Sequence, residues 1–258
     1  MQLDLTDRAV LITGGSAGIG LACARAFAAE GARVGIAARR PAALATAQAE
    51  LGLAFAHAAD LTDAAQAAAM LDAFERALGP VDVLVNAAGA AKRTPPADLT
   101  PAAWRAAMDA KYFTYINVID PVVKRMAARG AGVIVNVIGQ GGKVASPVHL
   151  AGGAANAALM LATAGLATAY AAQGVRVVGV NPGLTDTGRV AEGLKADASL
   201  ANITEAEARA RGIARIPLGR MARAEEVADV VLFLASPRAG YVTGVTVTMD
   251  GAITPTVV

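Results

Sequence analysis

Val10–Leu11–Ile12–Thr13–Gly14–Gly15–Ser16–Ala17–Gly18–Ile19–Gly20 is the stretch from which the rest of the chain is read. An apolar run enters a glycine turn, and apolar residues at helical spacing (Leu21, Ala22, Ala24, Ala26, Phe27, Ala28) follow at once. A buried strand that feeds such a turn brings a helix N-terminus to the edge of a sheet. Unpaired N–H groups and the helix dipole then favour an anion, and the glycines let the backbone approach it. The pyrophosphate of a dinucleotide is the expected ligand, with a tight ligand-free turn as the alternative.

Outward from this turn, strands and helices alternate to the end of the chain. Arg8–Thr13, Arg33–Ala38, Leu53–Ala58, Val81–Val85, Val133–Ile138, Val175–Val180 and Val245–Met249 read as strands. Helices are expected over Ile19–Glu30, Pro41–Leu51, Ala64–Leu78, a long stretch from Pro101 to about Ala128, Gly152–Ala172 and Ala224–Ala235. Gly31 closes the first, Asp63 caps the third, and Thr100–Pro101 starts the fourth. The strands are apolar runs rather than alternating patterns, as in a parallel sheet covered on both faces. This implies an α/β, doubly wound, Rossmann-like single domain over residues 1–258. The polar segment at about 185–216 is long for a connection and reads as a substrate lid, or else as a surface insertion.

Apolar residues make up 55% of the 258 and charged residues 17%, which excludes disorder. The net charge of +2, without a basic run, argues against nucleic acid as a partner. Cys23 is the only cysteine, so an internal disulfide or a cysteine-cluster metal site is excluded, and no metal is expected. No basic-plus-apolar leader opens the sequence, and a cytoplasmic location is the default expectation. No Lys, Arg, Asp or Glu lies between Lys143 and Arg176, a stretch long enough to cross a membrane. However, Asn156, Thr163, Thr168 and Tyr170 interrupt it, so it reads instead as a helix buried between the sheet and a second subunit.

The motifs resemble those of the short-chain dehydrogenase/reductase family over nearly the whole chain. Thr13–Gly14–Gly15–Ser16–Ala17–Gly18–Ile19–Gly20 is similar to its TGxxxGxG cofactor turn, and Asn86–Ala87–Ala88–Gly89 to its NAAG element. Asn181–Pro182–Gly183–Leu184–Thr185–Asp186–Thr187 resembles its NPG-x-T-x-T stretch. Ile216–Pro217–Leu218–Gly219–Arg220, Val242–Thr243–Gly244 and Asp250–Gly251 resemble its C-terminal patterns. The resemblance implies a seven-stranded sheet and a homo-oligomer, tetramer or dimer, built on the helices at about 101–128 and 152–172. There Ala155, Ala158, Ala162, Gly165 and Ala169 allow close helix approach, or else pack on the monomer's own sheet. It also implies cofactor contacts at Gly14, Ser16, Gly18, Ile19, Gly20, Asp60, Leu61, Asn86, Ala87, Gly89, Pro182, Gly183, Thr185 and Thr187. Asp60 would meet the adenine edge, or would otherwise cap its own loop.

Cofactor choice is made after the second strand, where an acid would select NAD. Here the sequence is Ala37–Ala38–Arg39–Arg40. Guanidinium groups pair well with phosphate, so NADP(H) is favoured over NAD(H). Arg39 is the better partner. Arg40 is a second one, or a solvated charge.

The family's chemistry rests on Asn, Ser, Tyr and Lys, and the resemblance places them at Lys111, Gly139, Gly152 and Asn156. All four positions are substituted. No shift of register rescues them, since Ala131–Ala169 contains no tyrosine and no lysine but Lys143. Losing a positioned acid costs roughly 10²–10⁴ in rate, so ordinary ketone reduction is not expected. Hydride transfer to a substrate that needs little acid assistance, an imine or an activated alkene, remains open. His149 and Lys111 are the substitute proton carriers, with a surface-loop histidine and a structural lysine as the alternatives. Two other functions stay open: a catalytically inactive cofactor-binding subunit or sensor, which would also assemble with an active relative, and a non-redox lyase or isomerase.

Overall fold

The computed structural model describes residues 2–89 and 91–255. Among them, seven strands pair in parallel: β1 Ala9–Thr13, β2 Arg33–Ala38, β3 Phe55–Ala58, β4 Val83–Asn86, β5 Gly132–Val137, β6 Val175–Pro182 and β7 Thr246–Met249. Their order is β3-β2-β1-β4-β5-β6-β7. The order reverses between β1 and β4, which opens a crevice beyond the carboxyl ends of the strands. Thr13 lies opposite both Ala37 and Asn86, and Asn86 opposite Asn136. The loops after β1, β2, β4 and β5 therefore leave the sheet at one edge.

Side chains alternate between the two faces of each strand. Val10 and Ile12 of β1 pack with Phe27 of α1 (Gly18–Ala29) and Val227 and Val231 of α9 (Ala224–Ala235). Leu11 turns the other way, to Phe74 of α3 (Ala64–Leu78) and Tyr115 and Met126 of α5 (Thr114–Arg129). Each of these buried side chains contributes about 1.5–3 kcal/mol. α2 (Pro41–Leu51) starts at its proline, and Asp63 caps α3 by accepting from the N–H groups of Ala65 (2.8 Å) and Gln66 (3.3 Å).

The single long helix expected after Thr100 is broken. α4 (Pro101–Met108) and α5 are separated by a π-helical turn over Asp109–Phe113. The Thr114 hydroxyl takes up a carbonyl of that turn, donating to Asp109 O at 3.0 Å. The loop after β4 presses on the same turn, and a side chain at Gly89 would overlap the carbonyl oxygen of Ala110. A π turn adds a residue to the helix and re-aims its side chains. Here it carries Lys111, which is buried.

The polar segment expected as a connection holds two helices, α7 (Gly188–Ala201) and α8 (Glu205–Ala214). Thr187 caps α7, and Thr204 and Glu207 form a reciprocal capping box on α8. Leu194, Ile216 and Met221 form a small core under them. The uncharged helix, α6 (Leu150–Tyr170), is long and apolar enough by length and composition to cross a membrane. It packs Leu159, Thr163 and Ala167 into the core of this chain, Ala155 with them, and leaves Leu161 77% exposed.

Candidate active site at the carboxyl edge of the sheet

Gly14 has φ of +72°, and a Cβ there would lie 2.7 Å from the amide nitrogen of Ala88. Its N–H donates to Ala37 O at 2.7 Å, tying the turn to the end of β2. A side chain at Gly20 would overlap the carbonyl oxygen of Gly14. The turn closes only on glycine, with Ser16 and Ile19 half-buried along it. α1 begins beyond Ala17 without a side-chain cap, so its first N–H groups stay available to a ligand. Across the crevice, Thr187 at the start of α7 comes within 3.5 Å of the place of a Cβ on Gly18. Two helix N-termini thus face one point, which suits the pyrophosphate of a dinucleotide. Arg39 and Arg40 are exposed at the end of β2.

Asp60 caps its own loop: Oδ1 accepts from the N–H (3.1 Å) and hydroxyl (2.9 Å) of Thr62, and Leu61 beside it is buried. The Asn86 side chain belongs to a buried polar chain. Thr13 Oγ1 donates to Asn86 Oδ1 (3.3 Å), Asn86 Nδ2 to Asn136 Oδ1 (3.0 Å), and Asn136 Nδ2 to Thr163 Oγ1 (3.0 Å). The Thr163 hydroxyl ends on Leu159 O at 2.7 Å. Asn86 therefore meets the crevice through its backbone, together with Ala87 and Gly89. Pro182 ends β6, Gly183 follows it, and Thr185, buried, donates to Gly183 O at 3.3 Å.

Gly139, Gly152, Asn156 and His149 come together beyond β5. Asn156 Nδ2 is 3.4 Å from where a Cβ on Gly139 would lie, and its Oδ1 is buried without a partner among the described residues. Gly139 has φ of +119°, a conformation that a side chain resists. The His149 ring covers Gly152. A Cβ on that glycine would overlap the ring at Cε1 and stand 2.6 Å from Nε2. Nδ1 of the same ring is buried without a hydrogen bond among the described residues. Burial first, then the charges of Arg93, Arg189 and Lys111, hold His149 below the ordinary histidine value of 6.5.

The Lys111 ammonium lies inside the protein, donating to Tyr115 Oη (2.8 Å) and Val137 O (3.1 Å), 4.4 Å from the Tyr115 ring centroid. Burial, and next the charge of Arg189, bring it down to about 7. The Tyr115 hydroxyl donates to Val137 O at 2.5 Å, and burial pushes its pKa upward. It is thereby occupied in the core.

Two arginines that the sequence reading passed over complete the site. Arg189, exposed on the first turn of α7, donates Nη2 to the carbonyl of Ala91 at 3.3 Å. Ala91 Cβ in turn stands 2.8 Å from the Cβ place on Gly152. Arg93 pairs with Asp197 of α7. Their signal was present in the sequence: Lys92–Arg93 follows the NAAG element, and Arg189 stands just past Thr187.

A family profile described as Enoyl-(Acyl carrier protein) reductase matches residues 14–254. Over 262 residues the chain is 36% identical to 2-(S)-hydroxypropyl-CoM dehydrogenase 3 of Xanthobacter autotrophicus, covering 98% of this chain and 99% of that one. A variant of actinorhodin polyketide ketoreductase solved with NADPH superposes with a TM-score of 0.93 at 31% identity, over 96% of this chain and 98% of that one. An NADPH-bound short-chain oxidoreductase from Pseudomonas aeruginosa, described as containing an atypical catalytic center, gives 0.86 at 32% identity, over 98% and 99%. Fold, motif order and these likenesses agree throughout its length: the chain belongs to the short-chain dehydrogenase/reductase family of oxidoreductases.

Proposed function

We propose that this protein is an NADP(H)-dependent reductase of an activated alkene, in which His149 handles the proton that a tyrosine handles elsewhere in the family. The observation that carries the reading is the His149 ring lying over Gly152, in the volume where a side chain at that position would begin. Lys111, Gly139, Gly152 and Asn156 stand in this reading at the four family positions, and none of them offers a phenol. Gly14, Ser16, Gly18, Ile19 and Gly20 hold the pyrophosphate, and Arg39 with Arg40 the 2′-phosphate. Asp60 and Leu61 meet the adenine, the backbone of Asn86, Ala87 and Gly89 the ribose, and Pro182, Gly183, Thr185 and Thr187 the nicotinamide. When bound, the cofactor supplies the hydride. α7 and α8 close over the substrate as a lid.

Charge decides between the two substrates that need little acid assistance. An iminium ion is a cation, and Lys111, Arg93 and Arg189 oppose it. Hydride delivered to the β-carbon of a conjugated alkene leaves an enolate, which the same cations stabilise. His149 then gives its proton to the α-carbon. Its pKa is held below the ordinary histidine value, so the imidazolium form parts readily with its proton once hydride transfer has formed the enolate. The enoyl-reductase description of the matching family supports this reaction type.

The test is NADPH consumption against a panel of enones, enoates, cyclic imines and plain ketones. Conjugated alkenes are expected to turn over and plain ketones not. His149→Gln is expected to lower kcat by roughly 10²–10⁴ while leaving NADPH affinity unchanged. Tight NADPH binding with no consumption on any substrate would overturn the reading in favour of a non-catalytic cofactor-binding subunit. Product formed without change in nicotinamide absorbance would favour a lyase or isomerase.

A further inference from the structure

We infer that the substrate carries an anionic group, a carboxylate in the first instance, and that Arg189 and Arg93 receive it between α7 and the segment after β4. The inference rests on the reductase reading for what the pocket holds, and on three observations for its charge.

The first is geometric. Three segments converge above Gly152. Ala91 abuts the Cβ place on that glycine, Thr94 N–H donates to Val148 O at 3.0 Å, and Arg189 reaches from α7 to the carbonyl of Ala91. The Arg93 guanidinium lies along α7 as well, its Cζ 3.3 Å from the Cβ place on Gly193. Both guanidinium groups therefore lie close enough to His149 for their charge to bear on it.

The second is the balance of charge. Lys111, Arg93 and Arg189 all bear on His149. The carboxylates that offset them are Asp197, which is spent on Arg93, and Glu192, which acts on Arg189. Lys111 is buried, and its two hydrogen-bond partners are neutral oxygens. Burying the Lys111 ammonium without an anion is costly. An anion bound beside Arg189, whose charge bears on Lys111, lessens that cost.

The third is where the two arginines stand relative to the cofactor turn. The two helix N-termini that suit a pyrophosphate meet at Gly18 and Thr187, beside β1, and Arg39 stands at the end of β2. Arg189 lies within reach of both sides: the charge of Arg39 bears on it, and its Nη2 donates to Ala91, beyond β4. Arginine grips a carboxylate, sulfonate or phosphate through paired N–H donors, which gives orientation as well as affinity. An enoate held there by its carboxylate would carry its double bond beside that group, toward His149.

Calorimetry on the protein saturated with NADP⁺ tests this without turnover. Crotonate is expected to bind at least about tenfold more tightly than crotonamide, its neutral isostere, and to weaken as ionic strength rises. Ethanesulfonate and inorganic phosphate, added as competitors, identify which anion fits best. Arg189→Gln and Arg93→Gln are each expected to lose about tenfold in crotonate affinity and to keep NADP⁺ affinity within about twofold. Equal affinities for crotonate and crotonamide would overturn the inference, and that comparison needs no variant to fold. Loss of NADP⁺ affinity in Arg189→Gln with crotonate affinity intact would also overturn it, assigning that arginine to the cofactor. Crotonate binding by a protein that reduces no alkene would sink the reductase reading alone.

Discussion

His149 owes its low pKa to a dry Nδ1 and three neighbouring cations, Arg93, Arg189 and Lys111. If it gives the proton in reduction, kcat/KM should fall as pH rises through an apparent pKa below 6.5, and the reverse oxidation should rise through the same value. A pH–rate profile in both directions checks this, and His149→Gln should erase that limb. Lys111 gives a separate prediction. Its pKa is near 7 folded and 10.5 ordinarily, so between those values the unfolded chain holds the proton more tightly. Stability should therefore rise with pH across that window, and below about 7 the penalty is present in full. Lys111→Met is expected to stabilise the fold by about 2–5 kcal/mol near pH 6 and to flatten the rise above pH 7, as read by urea melts. A variant less stable than its parent at pH 6 would mean that the bonds to Tyr115 and Val137 outweigh the burial of the charge.

On the proposed reading, the turn after β2 decides the cofactor at the scale of elements. Arg39→Asp puts a carboxylate at that strand end, and NADPH affinity should fall by tenfold or more while NADH affinity holds or improves, by fluorescence titration. At the other edge, tyrosine at position 152 cannot be accommodated while His149 keeps its place, and serine at 139 must adopt φ of +119°. Gly139→Ser is expected to cost about 1–3 kcal/mol, measurable as a lowered Tm. These local devices differ in how far they could be read from sequence. The seven apolar strand runs, the cap at Asp63, the helix start at Thr100 and the glycine turn depend on neighbours along the chain, and they were legible. The π turn was not, because its surroundings are remote: the loop at Gly89 and the carbonyl of Val137. α7 and α8 were read as a connection because their apolar faces are sparse, although Thr204 and Glu207 spelled out a capping box. That His149 stands near Gly152 was legible from spacing. That its ring folds over the glycine was not, since it follows from the side chain missing there.

Taken whole, the molecule leaves an apolar belt uncovered. Leu161 and Gly165 of α6 are exposed, as are Phe113 in the π turn and Trp104 on α4. α6 packs against both α4 and the π turn, and exposed apolar side chains on adjoining elements favour a partner. Sedimentation is expected to show a closed homo-oligomer, and Leu161→Glu should shift it to smaller species. A parent chain that sediments as a monomer would reject the expectation. The buried chain from Thr13 through Asn86 and Asn136 to Thr163 pins α6, which carries Gly152 in its first turn, to the sheet. The covering of Gly152 by an imidazole has a historical corollary. On the proposed reading, Gly152→Tyr alone does not restore the phenol-based enzyme: the aromatic newcomer makes the imidazole move aside and so displaces the proposed proton carrier. Selection acting one replacement at a time would keep the two chemistries apart.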